Sequence, residues 1–279
     1  MRLRRQSLVL GIVAGIALLS IGANLWFAHR LQQAFAELQW ARIFPVGIPA
    51  ADAPRAPPSG KPRLALYGDS RALLWNTASL AGQFEIVNLA QGAQTSAQLV
   101  LQLAARPPVE SDWALVEIGI NDLHPLGVFA GREALIEDQL ADNLTTVVRT
   151  LETRSRCVAI VTILPPGPVP LERRATWSPG TLAAIEAANQ VIHRLADGER
   201  VFVFDGAALL SDEAHGLAVP YRTPDAFLHL NEAGYDVLNR GLQRILVNTL
   251  VVAAESGADS KGPGRDPGAL SPCRENRSR

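Results

Sequence analysis

The rhythm of apolar and polar positions changes several times along the chain. After a basic MRLRRQ, residues 7–28 (SLVLGIVAGIALLSIGANLWFA) run for 22 positions without one formal charge. As a helix this stretch covers roughly 30 Å, the thickness of a bilayer's hydrocarbon. No polar face interrupts it, which disfavours a soluble core helix, and it is longer than the apolar core of a cleavable signal peptide. Trp26 and Phe27 sit where interfacial anchors belong. The pattern predicts an uncleaved signal anchor, with Arg2, Arg4 and Arg5 keeping the N-terminus in the cytoplasm. Leu31, Phe35 and Leu38 then recur at helical spacing and predict a juxtamembrane helix. The stretch PVGIPAADAPRAPPSGKP that follows is too rich in proline for a helix or a central strand and reads as a linker.

From residue 63 the period alternates. RLALYG, FEIVNL, WALVEIG, CVAIVTIL and VFVFD are short apolar runs suited to buried parallel strands. Between them Leu135, Ile136, Leu140, Leu144, Val147, Val148 and Leu151 form one helical stripe, and Leu182, Ile185, Val191, Ile192 and Leu195 another. A last helix is expected after Asn231 as N-cap, with Tyr235, Leu238, Leu242, Ile245 and Leu246 on one face. Five strands alternating with helices predict an α/β sandwich around a mostly parallel sheet. Residues after about 255 lack periodicity and are expected to be disordered. The expected organisation is therefore a basic tip and transmembrane anchor over 1–28, a juxtamembrane helix and linker over 29–62, a globular domain over 63–254 and a tail over 255–279.

Composition removes several function classes. In a chain of 279 residues, 48% are hydrophobic and 19% charged, so most of it is not a disordered polymer. The net charge of −1 lacks the basic field that nucleic acid demands, and no nucleic-acid partner is expected. Two cysteines make neither a disulfide framework nor a thiolate zinc site. Cys157 reads as a small buried core residue, and the polar surroundings of Cys273 give no ground for a bridge. Five histidines without paired spacing argue against a metal site, and no cofactor is expected.

In an open parallel sheet the active site lies beyond the carboxyl ends of the strands. The first strand ends in Gly68-Asp69-Ser70, placing a serine at a strand-to-helix turn, although Asp69 or Ser70 is also an ordinary helix cap. The second ends in a polar loop holding Gly92, and the third in Gly119-Ile120-Asn121-Asp122. TPDAFLHLNEAGY, with Asp225 and His229, precedes the final helix. Each piece alone is no more than a turn or a cap. Together they meet the needs of acyl transfer: a serine, a histidine to take its proton, a carboxylate to orient the histidine, and donors for an oxyanion. The Ser70 amide, the Gly92 amide and the Asn121 side chain are candidate donors.

The chain here resembles the SGNH, or GDSL-like, hydrolase family over about residues 63–250. YGDSR matches the first block, QGAQTS the glycine block, IGINDL the G-x-N-D block, and HLNEAGY the segment that runs from the histidine into the last helix. The resemblance implies a flavodoxin-like three-layer α/β/α fold and metal-free hydrolysis of esters. It assigns Ser70 as nucleophile, Gly92 and Asn121 to the oxyanion hole beside the Ser70 amide, and His229 as base. The family usually places its acid three residues before the histidine, a position held here by Ala226. Asp225, four before, is the expected acid, with Asp205, Asp212 or a backbone carbonyl as alternatives.

Asp69 is expected to organise the first turn, Asp122 to brace the Asn121 loop, and His124 to be an exposed loop residue, with lining of the pocket as its alternative. Trp75 and Trp177 are read as substrate contacts or as packing, and residues 164–180 as a long loop of the lid or specificity kind. Its Arg173 and Arg174 are read as solvated charge, with an anionic substrate as the alternative. The reading is a serine esterase anchored by a single span in the plasma membrane, its catalytic domain periplasmic or extracellular. Its substrate would be an acylated glycan, a lipid or a small ester. An envelope glycan O-acyltransferase and a non-catalytic binding domain of the same fold are the competing readings.

Overall fold

The computed structural model describes residues 2–43, 60–174, 176–224, 227–258 and Cys273. Most of the expected linker and of the tail therefore lies outside the described residues. The chain divides into two units, Met1–Ile48 and Pro49–Arg279. In the first, helix α1 (Arg2–Ile43) runs unbroken through the apolar stretch and the amphipathic one. Its apolar side chains are exposed, Leu19 at 76% and Leu31 at 73%. Among the described residues it is the one helix long and apolar enough to cross a membrane, over Val9–Leu38.

The second unit is built on strands β1 (Arg63–Gly68), β2 (Glu85–Asn88), β3 (Ser111–Glu117), β4 (Ser155–Val161) and β5 (Val201–Phe204). They form one sheet in the order β2-β1-β3-β4-β5, and every pairing is parallel. This is the flavodoxin-like order, and it reverses between β1 and β3. The helices are α2 (Ser70–Leu73), α3 (Ser96–Ala105), α4 (Ile120–Leu123), α5 (Glu133–Glu152), α6 (Thr181–Leu195), α7 (Gly206–Leu210) and α8 (Glu232–Ala258).

Alternation along the strands sends side chains to two cores. Ala65, Tyr67, Val116 and Ile160 pack with Leu99 of α3, Leu144 and Val147 of α5 and Ile192 of α6. Leu64, Leu66, Trp113 and Ala159 pack on the other face with Trp75 and with Leu238, Leu242 and Leu246 of α8. The expected α/β/α fold is the fold observed. Asn231 caps α8 as expected, accepting from the Gly234 amide at 3.0 Å. Two stripe positions differ: Leu135 is 65% exposed and Leu182 is 40% exposed. Both stand in the first turn of their helices, above the carboxyl edge of the sheet.

The cysteine reading needs correction. Cys157 is buried in β4, but it is disulfide-bonded to Cys273 across 116 residues, with Cα atoms 5.5 Å apart. The Cys273 amide donates to the Glu199 carbonyl at 3.2 Å, and the Arg156 guanidinium donates to the Cys273 carbonyl at 2.9 Å. Cys273 thus sits at the amino ends of β4 and β5, a placement that local polarity does not encode.

Candidate active site

The turn after β1 is made by close packing against β3. Gly68 has φ +137°, and a Cβ there would fall on the backbone carbonyl of Glu117. Only glycine combines that conformation with that approach. The Asp69 amide donates to the same carbonyl at 3.1 Å, and Asp69 Oδ1 accepts from the Arg71 amide at 2.8 Å, capping α2. Ser70 is thereby held at the first position of a helix. Just beyond β3, Gly119 has φ +126°, and a Cβ would lie 2.6 Å from Ile163 Cδ1. The chain turns there into α4, which carries Asn121.

These turns bring sequence-distant groups together. Ser70 Oγ and His229 Nε2 are 3.0 Å apart across 159 residues of chain. The loop holding Gly92 is tied to the same centre from both sides: the Gln91 amide donates to the Gly68 carbonyl at 2.9 Å, and Asn121 Nδ2 donates to the Gln94 carbonyl at 3.0 Å. Gly92 is exposed in this loop. Asp122 accepts from the Ser96 amide at 2.9 Å and from the Ser96 hydroxyl at 2.7 Å, bracing the Asn121 turn against α3.

Asp225 lies outside the described residues. Asp205 is engaged elsewhere: its Oδ1 accepts from the Thr162 hydroxyl and the Ala208 amide, both at 3.1 Å, capping α7. Asp212 Oδ1 accepts from the amides of Ala214 and Gly216, both at 3.0 Å, while its Oδ2 pairs with Arg222. Trp75 is a core residue, donating to Asn239 Oδ1 at 2.8 Å. Trp177 packs edge-on against Phe227, ring centres 5.5 Å apart, joining the 164–180 loop to the segment that leads to His229. His124 is part-buried rather than exposed, and burial together with the charge of Arg173 lowers its pKa. Among the described residues, no three His, Cys, Asp or Glu side chains gather as metal ligands.

Two chemically important residues escaped the reading of the sequence. Arg71 is fully buried beside Ser70, and so is Glu117, whose carboxyl follows the apolar run Trp113–Val116 at the end of β3. A carboxylate inside WALVEIG was the available signal, because an unpaired buried charge is costly. Arg71 donates to the carbonyls of Leu228 (2.6 Å), Leu164 (2.5 Å) and Pro165 (3.2 Å), and its guanidinium lies 3.9 Å from Glu117 Oε1. Burial raises the pKa of Asp69 against the pull of Arg71, and burial with the neighbouring Asp69 charge drives that of Glu117 well up. Asp69 Oδ2 and both Glu117 oxygens meet no N–H or O–H donor among the described residues. The charges of the two carboxyls act on each other in this buried setting, so the pair favours keeping a proton on one of them. His229 has its pKa lowered, first by burial and then by Arg71, while Asp69 acts in the opposite sense. Its imidazole is thus favoured in the neutral form that accepts a proton.

Comparison with solved structures places the fold among known ones. A candidate platelet activating factor from Streptococcus pneumonia superposes with a TM-score of 0.58 at 21% identity, over 79% of this chain and 98% of that one. A candidate acylhydrolase from Bacteroides fragilis gives 0.55 at 20% identity, over 72% and 93%. A GDSL-like lipase from Bacteroides thetaiotaomicron gives 0.53 at 16%, over 67% and 88%. Likeness at these identities extends to the fold. A search of curated proteins found no match. Residues 59–237 match the GDSL-like lipase/acylhydrolase family, and with that match over more than half its length the chain belongs to this family.

Proposed function

We propose that this chain is a membrane-anchored serine esterase that cleaves an acyl or acetyl ester through an acyl-serine intermediate. The observation that carries the reading is the 3.0 Å approach of Ser70 Oγ to His229 Nε2. His229 Nε2 takes the Ser70 hydroxyl proton as Oγ bonds to the ester carbonyl carbon. The oxygen that becomes negative meets the Ser70 amide, the Gly92 amide and the second N–H of Asn121 Nδ2. Collapse breaks the carbon–oxygen bond to the leaving alcohol, which departs with the proton from His229. Water, deprotonated by the same imidazole, then attacks the acyl carbon and frees Ser70. Asp225 is assigned as the carboxylate that holds the His229 tautomer.

Helix α1, with its exposed apolar side chains over Val9–Leu38, supports anchoring in the plasma membrane. The Cys157–Cys273 disulfide supports a domain on the oxidising, periplasmic or exterior side, since cytosolic thiols are kept reduced. The substrate belongs to the acylated glycans, lipids or small esters.

A fluorophosphonate probe tests the reading. It is expected to label the full-length chain in detergent, and Ser70→Ala to abolish labelling and lower p-nitrophenyl acetate hydrolysis by about 10³-fold or more. A folded Ser70→Ala chain that keeps its rate overturns the mechanism. Hydrolysis of a panel of acetylated glycans and acyl esters of graded length then assigns the substrate.

A further inference from the structure

We propose that Arg71 is a positioning residue that sets the register of His229 against Ser70, by gripping the backbone one residue before the histidine. The inference rests on the esterase reading above. Arg71 Nε donates to the Leu228 carbonyl at 2.6 Å, across 157 residues of chain. Its two other nitrogens hold Leu164 and Pro165, where the chain leaves β4. That exit segment is itself bonded to the histidine segment, the Gly167 amide donating to the Phe227 carbonyl at 2.6 Å.

The arginine's own backbone is clamped at both ends. Its amide is held by Asp69 and its carbonyl accepts from the Tyr235 hydroxyl of α8 at 3.0 Å. One side chain thus joins the nucleophile's turn, the exit of β4 and the base's loop. A planar guanidinium offers five N–H donors in a fixed fork and addresses three carbonyls at once, which an ammonium on a flexible stem does not. The neighbouring Asp69 and Glu117 carboxyls together supply the opposing negative charge, with Glu117 Oε1 3.9 Å from the guanidinium. An apolar side chain of similar volume would pack this site without the cost of burying a charge. What the arginine adds is geometry: a hydrogen bond to the peptide unit that precedes His229.

The test is a double-mutant cycle on p-nitrophenyl acetate hydrolysis by the full-length chain in detergent. Arg71→Lys, which keeps charge and stem but not the fork, is expected to lower kcat at least about tenfold with KM little changed, since the oxyanion donors remain. On a His229→Ala background the same change is expected to cost less than about twofold, because no base remains to be positioned. Arg71→Met is expected to cost more than Arg71→Lys on the intact background. Wild-type kcat in Arg71→Lys, or equal losses on both backgrounds, overturns the proposal. The latter result would make Arg71 a scaffold residue only.

A wild-type chain inert toward both ester and fluorophosphonate would fail the esterase reading and not this one. The register is then read from diethylpyrocarbonate modification of His229, followed by mass spectrometry. Release of its loop in Arg71→Lys is expected to speed that modification several-fold, and an unchanged rate overturns the proposal.

Discussion

Replacing Cys273 with serine opens the covalent loop that closes on Cys157 and leaves both strand ends and the Ser70–His229 contact in place. The bridge spans 116 residues. In the chain-entropy description, a loop of that size removes about 16 cal/mol/K from the unfolded ensemble, a ceiling of about 5 kcal/mol at 25 °C. Residual structure in denatured chains brings most natural bridges to about 2–4 kcal/mol. For a domain of this size that corresponds to a fall in Tm of roughly 5–15 °C. The freed Cys157 thiol stays in an apolar core, where it packs as a small hydrophobe.

Trp113 pairs with Cys157 in register across β3 and β4, so tryptophan fluorescence on heating reports the core that the bridge pins. Dithiothreitol is expected to move the wild-type transition to that of Cys273→Ser and to leave the variant's own unchanged. Ester hydrolysis at 25 °C is expected to be unaffected, because Cys157 lies four residues, about 13 Å, before the carboxyl end of β4. Coincident transitions within about 2 °C, with no response of the wild type to reductant, would refute the bridge as a stabilising element.

On the proposed mechanism Asn121 is an oxyanion donor, so Asn121→Ala is expected to lower kcat by about 10²–10³-fold at similar KM, measured on an activated ester. The His229 pKa is lowered by burial and by Arg71. The base therefore stays neutral further into acid, and kcat/KM is expected to rise with pH through a midpoint below 6.5; a midpoint above 7 contradicts that environment. Asp225→Asn is expected to cost a large factor in kcat, no larger than His229→Ala, whereas Asp205→Asn changes the α7 cap and shows in Tm instead. Normal kinetics in Asp225→Asn would leave a Ser70–His229 dyad. Through alkaline extraction the full chain is expected to stay with the membrane pellet, and a mature N-terminus near residue 28 would show a cleaved signal instead.

How legible each part was depends on the distance over which its cause acts. Strand and helix periods are set by neighbours a few residues apart, so RLALYG or the α5 stripe declared itself directly. The strand-end motifs were legible for the same reason: a tight turn requires Gly68 or Gly119 locally. Glu117 gave a partial signal, a carboxyl in an apolar strand, but its meaning waited on the partners that face it. Arg71 gave none, because nothing in YGDSR tells that its guanidinium reaches the carbonyl of Leu228.

By itself, then, the sequence determined the alternation that makes an α/β sandwich, the apolar length of α1, and the residue types at each strand end. Tertiary structure alone decided two long-range closures, Arg71 on Leu228 and Cys157 on Cys273, and it brought the expected Ser70–His229 pair to 3.0 Å. It also decided that Asp205 and Asp212 serve turns near their own elements. Hydrophobic period is a local property, repeated every two or 3.6 residues, and survives in any short window. A contact across more than a hundred residues exists only after the β2-β1-β3-β4-β5 order has stacked the strand ends on one edge, and no short window contains that order.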